Sequence, residues 1–156
     1  MLRLHSLSRH ISSPSLSRTM SWHAALPKPQ STPAEITVQD LAALQGTPGV
    51  DYIVVDVRRT DIIGDEDAAR AMIPGALNLP AQTLYPTLAT SGQLLKNIPK
   101  VVFHCNSCSA GGRGQRSAAW YQDWLDAQGV TSSQALVLKG GWKAWLAAFP
   151  DKVVKV

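Results

Sequence analysis

Only two cysteines occur in 156 residues, too few for the disulfide framework of a small secreted domain, so a reducing, intracellular setting is expected. Long apolar runs are missing as well. The longest are short pieces such as Tyr52-Ile-Val-Val and Ala135-Leu-Val-Leu, far below the roughly eighteen residues of a membrane span, and a soluble chain with no membrane partner is expected. Acids are absent from residues 1–34, which carry Arg3, Arg9, Arg18 and Lys28. From Glu35 onward eleven basic residues balance eleven acidic ones, so the net charge of +4 belongs to the tail and does not describe a nucleic-acid surface. No internal repeat is present. Cys105 and Cys108 have no second Cys-x-x-Cys pair and no histidine at finger spacing, which argues against a bound metal. Proline is missing between Lys100 and Phe149, so every residue of that stretch keeps its N–H donor.

What remains suffices for one domain with a core. Residues 1–34 read as a disordered or targeting-like extension followed by a linker, with one domain over 35–156. The Ser-, Arg- and Leu-rich start, MLRLHSLSRHISSPSLSRTM, has the composition of a mitochondrial presequence or of a disordered arm, and Met20 is a second candidate start. Pro27-Lys-Pro-Gln-Ser-Thr-Pro33 reads as the linker.

Thr37 is placed to cap a short helix closing at Gly46. Asp51-Tyr-Ile-Val-Val-Asp-Val and Lys100-Val-Val-Phe-His-Cys105 are β-branched runs without polar alternation, as in strands buried on both faces of a parallel sheet. Between them, Pro74-Gly75 turns the chain into a short apolar piece ending at Pro80. A helix is predicted over 116–129, a third strand over 135–139 broken by Gly140-Gly141, and a final helix over 142–149 ended by Pro150. Strands alternating with helices predict an α/β fold around a mostly parallel sheet.

Chemistry concentrates in VVFHCNSCSAGGRGQRSAAW, residues 101–120. Cys105 stands where a buried strand runs out, the position at which open parallel sheets bind ligands. The glycine-rich loop beyond it can turn N–H groups inward, and with the positive end of the following helix it forms a cradle for a tetrahedral anion. The same field favours a thiolate. Arg113 can offer parallel N–H bonds to an oxyanion, so nucleophile, pocket and charge stabilisation are supplied together. Other readings stay open: a thioredoxin-like redox pair with Cys108, or structural thiols packed in the interior. His104 reads as a strand residue packed near the site, and the tryptophans of the helices as core.

Asp56-Val-Arg58 leading to Ile73-Pro-Gly-Ala-Leu-Asn-Leu-Pro80, then His104-Cys105 with its loop, then Leu136-Val-Leu-Lys-Gly-Gly-Trp-Lys-Ala-Trp145 together resemble a rhodanese-superfamily domain over roughly residues 36–149. Trp22-His23-Ala24-Ala25, the piece from Leu79 to Pro86, and Arg113-Gly-Gln-Arg116 are similar to small fungal proteins related to the yeast arsenate reductase and the cell-cycle dual-specificity (tyrosine) phosphatases. The resemblance implies a three-layer α/β/α sandwich and a phosphatase or arsenate reductase. Cys105 would be the nucleophile and Arg113 the oxyanion arginine. Asn106, Ser107, Cys108, Ser109, Ala110, Gly111, Gly112 and Gly114 would form the oxyanion loop, with His104, Asp56, Arg58 and Arg116 in support. Cys108, or glutathione as an external reductant, would resolve an arsenate adduct. No other cofactor and no metal are implied. Substrates would bear phosphate, arsenate or sulfur, phosphoproteins included. The chain would be a monomer or weak dimer, cytoplasmic or nuclear, or mitochondrial if residues 1–20 act as a presequence.

One departure stands out. The phosphatases and reductases place five residues between cysteine and arginine, whereas Cys105 and Arg113 enclose seven. Two added residues can widen the cradle, bulge outward or spoil it. Counting from Cys108 leaves four, nearer a sulfurtransferase loop. A sulfurtransferase carrying a Cys105 persulfide and a catalytically silent binding module are therefore the alternatives. The acid that protonates the leaving group is not named by the sequence; Asp61 and the other acids of the 61–67 loop are candidates.

Overall fold

A computed structural model describes residues 21–62 and 70–156. The presequence, the Met20 start and the acids Asp65, Glu66 and Asp67 lie outside the described residues.

The strands are β1 (Ala34–Ile36), β2 (Tyr52–Asp56), β3 (Ala71–Met72), β4 (Leu77–Asn78), β5 (Lys100–His104), β6 (Gln134–Leu138) and β7 (Val154–Lys155). The helices are α1 (Val38–Ala42), α2 (Ala81–Leu95), α3 (Arg113–Ala127) and α4 (Gly141–Ala148). Five strands form one parallel sheet in the order β1-β6-β5-β2-β4, while β3 and β7 pair antiparallel beside it. Unbroken apolar strands suit this sheet because successive side chains point to opposite, equally covered faces. Val55, Val101, Phe103, Ala135 and Val137 meet α2 and α3 on one face. Their neighbours Val54, Val102, Leu136 and Leu138 meet Val38 and Leu41 of α1 and Trp142 and Trp145 of α4 on the other. The result is the expected three-layer sandwich, with β5 in the centre of the sheet.

Several expectations shift. The Thr37 cap is real, its hydroxyl accepting the Asp40 N–H at 3.1 Å, but α1 ends at Ala42 and Gly46 serves a later turn. Helix α3 begins at Arg113, three residues before the expected Arg116. Helix α2 has no counterpart in the sequence reading. Threonines, Gly92 and an internal Pro86 hide it, although Ala81, Leu84, Leu88, Gly92 and Leu95 bury one face at helical spacing. Gly92 is there for contact: a Cβ on it would lie 2.8 Å from the Trp124 ring of α3.

The linker expectation is corrected over residues 21–34. Leu26 packs on the core, and the Trp120 indole donates to the Pro27 carbonyl at 2.8 Å. The N–H groups of Gln30 and Ser31 both donate to the Asp123 carboxylate at 2.8 Å, and Ala34 already belongs to β1. This segment is a strap tied along α3. No helix among the described residues is long and apolar enough to cross a membrane.

Candidate active site

Central strand β5 delivers Cys105 to the carboxyl edge of the sheet, and α4 fixes the start of the loop beyond it. Gly140 and Gly141 adopt φ of 74° and 59°, a region open to glycine. The Trp142 and Lys143 N–H groups then donate to the carbonyls of Cys105 and Asn106 at 2.9 and 3.0 Å. A Cβ on Gly141 would lie 2.5 Å from the Cys105 oxygen, so only glycine permits this approach. With the first two loop carbonyls held by α4, the next N–H groups are free to face the thiol.

They do so closely. The Cys108 N–H donates to Cys105 Sγ at 3.2 Å, and the two sulfurs are 3.5 Å apart. The Cys108 thiol hydrogen bond is the largest influence on Cys105 and lowers its pKa; burial opposes it, and the N–H groups of Gly114, Cys108 and Ser107 add to it. The balance lowers Cys105 from 9.0 to about 5, a shift that favours the thiolate. Cys108 moves the other way, pushed up because its proton is held by Cys105 and because it is buried. Its sulfur accepts the Cys105 N–H at 3.1 Å and fills the space beside Gly114, where a Cβ would come within 2.5 Å of it. Cys108 reaches this place with φ of 46°, a left-handed conformation rare for a residue with a side chain.

The two extra loop residues bulge outward. Ser109, Ala110 and Gly111 are exposed in a turn closed by the Gly112 N–H donating to the Ser109 carbonyl at 2.8 Å. The side chain of Gln115 accepts the Gly111 N–H at 2.9 Å, and Arg116 donates to the Gly111 carbonyl at 3.3 Å, so Arg116 braces the turn. The N–H group that reaches Cys105 Sγ is that of Cys108, which precedes the turn.

An open cleft of about 410 Å³ lies over this loop, lined by Cys105, Asn106, Ser107 and Arg113 together with Trp22, His23 and Gln82. Arg113, the first residue of α3, donates from Nη1 and Nη2 to the two Asp61 oxygens at 2.9 and 2.5 Å. Burial alone would raise the Asp61 carboxyl, but the Arg113 bonds and the Arg59 N–H overturn it and hold it at about 2. Asp61 is therefore an anion committed to Arg113, a poor fit to the role of proton donor.

The supporting residues sit behind the cleft and do not line it. Fully buried Arg58 donates to Asp56 at 2.7 Å and to the Ala71 carbonyl at 2.7 Å, and lies 4.5 Å over the Trp142 ring. His104 is fully buried, with Nδ1 at 3.2 Å from the Cys105 carbonyl; burial lowers its pKa against the pull of Asp56. Cys108 does not line the cleft either, so a loop counted from Cys108 has no geometric basis. Trp22, His23 and Gln82 were missed as site residues. Gln82 belongs to the unread α2, and Trp22-His23 carried only a resemblance. Among the described residues no group of His, Cys, Asp or Glu is arranged to hold a metal ion.

Comparison with known proteins agrees with this geometry. The structure resembles the As-Sb reductase from Leishmania major at 25% identity and a TM-score of 0.58, with 78% of this chain and 84% of that one covered. It resembles yeast Ygr203w, a protein tyrosine phosphatase of the rhodanese family, at 20% identity and a TM-score of 0.59, covering 78% and 90%. A third similar structure, a possible tyrosine phosphatase from Rhodopseudomonas palustris, has 22% identity and a TM-score of 0.52 over 74% and 81%. No curated protein matches the chain in sequence. The rhodanese-like domain model matches residues 37–148, from the cap of α1 to the end of α4. Three-layer sandwich, strand-end cysteine and sequence match agree, and the chain belongs to the rhodanese-like domain family.

Proposed function

We propose that this protein is a cysteine-dependent enzyme acting on tetrahedral oxyanions, first of all a phosphatase for phosphate monoesters such as phosphotyrosine. One observation carries the reading: the Cys105 sulfur stands on the cleft wall, accepts the Cys108 N–H at 3.2 Å and shares the cleft with Arg113. Thiolate attack on phosphorus builds negative charge on the equatorial oxygens, and preorganised N–H donors with a guanidinium are what such charge requires. Likeness to the Leishmania reductase and the yeast phosphatase supports the same class.

Arsenate reduction is a second reading, favoured by the sulfur–sulfur distance of 3.5 Å. Once Cys105 is bonded to arsenic, its thiolate no longer holds the Cys108 proton. Cys108 could then attack Cys105 Sγ, forming a disulfide as arsenic leaves with the bonding pair as arsenite, and glutathione would reduce the disulfide.

A side-by-side assay with aryl phosphate, arsenate plus glutathione, and thiosulfate plus cyanide tests this. Wild type should hydrolyse the aryl phosphate and Cys105→Ser should not. Cys108→Ser, whose hydroxyl can still donate to Cys105, should lower hydrolysis without abolishing it while losing any arsenate reduction. Hydrolysis surviving in Cys105→Ser would overturn the assignment; turnover of thiosulfate alone would mark a sulfurtransferase, and turnover of nothing a binding module.

A further inference from the structure

The cleft beside Cys105 contains a proton-carrying side chain to which thiolate attack on phosphorus assigns no task. We propose that His23, brought to the cleft by the N-terminal strap, is the general acid that protonates the leaving oxygen. The inference rests on the phosphatase reading.

Elimination carries the first part of the argument. Among the described residues that line the cleft, Cys105 is the nucleophile and Arg113 stays protonated. Gln82, Asn106 and Ser107 are neutral amides and a hydroxyl, groups that do not give up a proton at ordinary pH. Asp61, the acid nearest in sequence logic, has both oxygens on Arg113 and is held at about 2. His104 is buried behind the loop. Among the described residues that line the cleft, His23 alone carries an imidazole, the side chain most often used as a general acid.

Anchoring carries the second part, because a catalytic acid must be held in place. A turn is closed by the Ala24 N–H on the Ser21 carbonyl at 2.9 Å and the Leu26 N–H on the His23 carbonyl at 3.0 Å. Trp22 packs edge-on against His23, with ring centroids 5.2 Å apart, and against Trp120 of α3 at 6.1 Å. Beyond the turn, the bonds to Trp120 and Asp123 tie the strap to α3, the helix whose first residue is Arg113. One helix therefore positions both the oxyanion arginine and the acid.

The step balances. Cys105 Sγ bonds to phosphorus as the bond to the leaving oxygen breaks, and that oxygen takes the proton of the His23 imidazolium. Neutral His23 then accepts a proton from the water that attacks the thiophosphate. Inorganic phosphate leaves, and thiolate and imidazolium are restored.

Kinetics on two esters test it, since an acid matters most when the leaving oxygen is basic. On phenyl phosphate, His23→Gln and His23→Asn should each lose about 10²-fold or more in kcat/KM; on para-nitrophenyl phosphate the loss should stay under about tenfold. Thermal melting should match wild type. An equal loss on both esters, or none, overturns the role of His23 while leaving the phosphatase reading intact. A wild type silent on both esters, although its Cys105 is alkylated at neutral pH, overturns the phosphatase reading and the inference with it.

Discussion

Asp56 ends strand β2 and Asp61 follows it closely, and each binds an arginine, yet the two pairs differ in setting. Asp56 meets Arg58 with both side chains fully buried; Nε and Nη2 of the guanidinium bind Asp56 and the Ala71 carbonyl, its face lies over Trp142, and Nη1 is left without a partner. Asp61 meets Arg113 with about a quarter to a third of each side chain exposed, at the edge of the cleft. The first pair ties the end of β2 to β3 and α4, fully buried and away from the cleft. The second holds its arginine at the wall of the cleft proposed to take the anion. Residue types are the same, and burial divides a framework pair from one at the cleft.

Breaking the buried pair should have the largest effect. Arg58→Ala leaves the Asp56 carboxylate buried with one partner fewer and should cost about 3–5 kcal/mol in urea unfolding, a large share of the roughly 5–15 kcal/mol typical of a domain. A loss under about 1 kcal/mol would place this pair with the exposed one. Arg113→Lys should invert the pattern. Stability should change by less than about 1 kcal/mol, because the pair is partly solvated. Lysine lacks the planar fork, so kcat/KM on aryl phosphate should fall about 10²–10³-fold. A fall under about tenfold with normal stability would mean that Arg113 does not bind the oxyanion.

The same division explains what the sequence could tell. Buried strands were legible because their apolar residues are continuous, and the reactive loop because Cys105 ends one of them ahead of glycines and Arg113. Its outward bulge was not legible, since it depends on Cys108 turning left-handed and on Gln115 and Arg116 bracing Gly111. Helix α2 was hidden by Pro86 and a threonine-rich surface, and Gln82 was hidden with it. The strap was read as linker because its prolines look unstructured, while its anchors, Trp120 and Asp123, lie about ninety residues away. The sequence offered Asp61 only as a candidate acid, and its bonds to Arg113, more than fifty residues away, make it an ion-pair partner instead.

Asp61 also gives the smallest effect and the finest test of the comparison. Its carboxyl moves down from 3.8 to about 2 on folding, so the folded chain binds fewer protons than the unfolded chain in that interval. The pair therefore stabilises fully above about pH 4, and its contribution is lost as pH falls toward 2. Solvent screening keeps this contribution below about 1 kcal/mol. Asp61→Asn removes the titration, so urea unfolding of the variant should lose less stability than wild type between pH 4 and pH 2, while the two curves run parallel above pH 5. Wild type and variant curves that stay parallel down to pH 2 would show that the ion pair does not persist in solution. Arg113 would then reach the cleft without Asp61, and the contrast between the two pairs would reduce to burial of Asp56 and Arg58 alone.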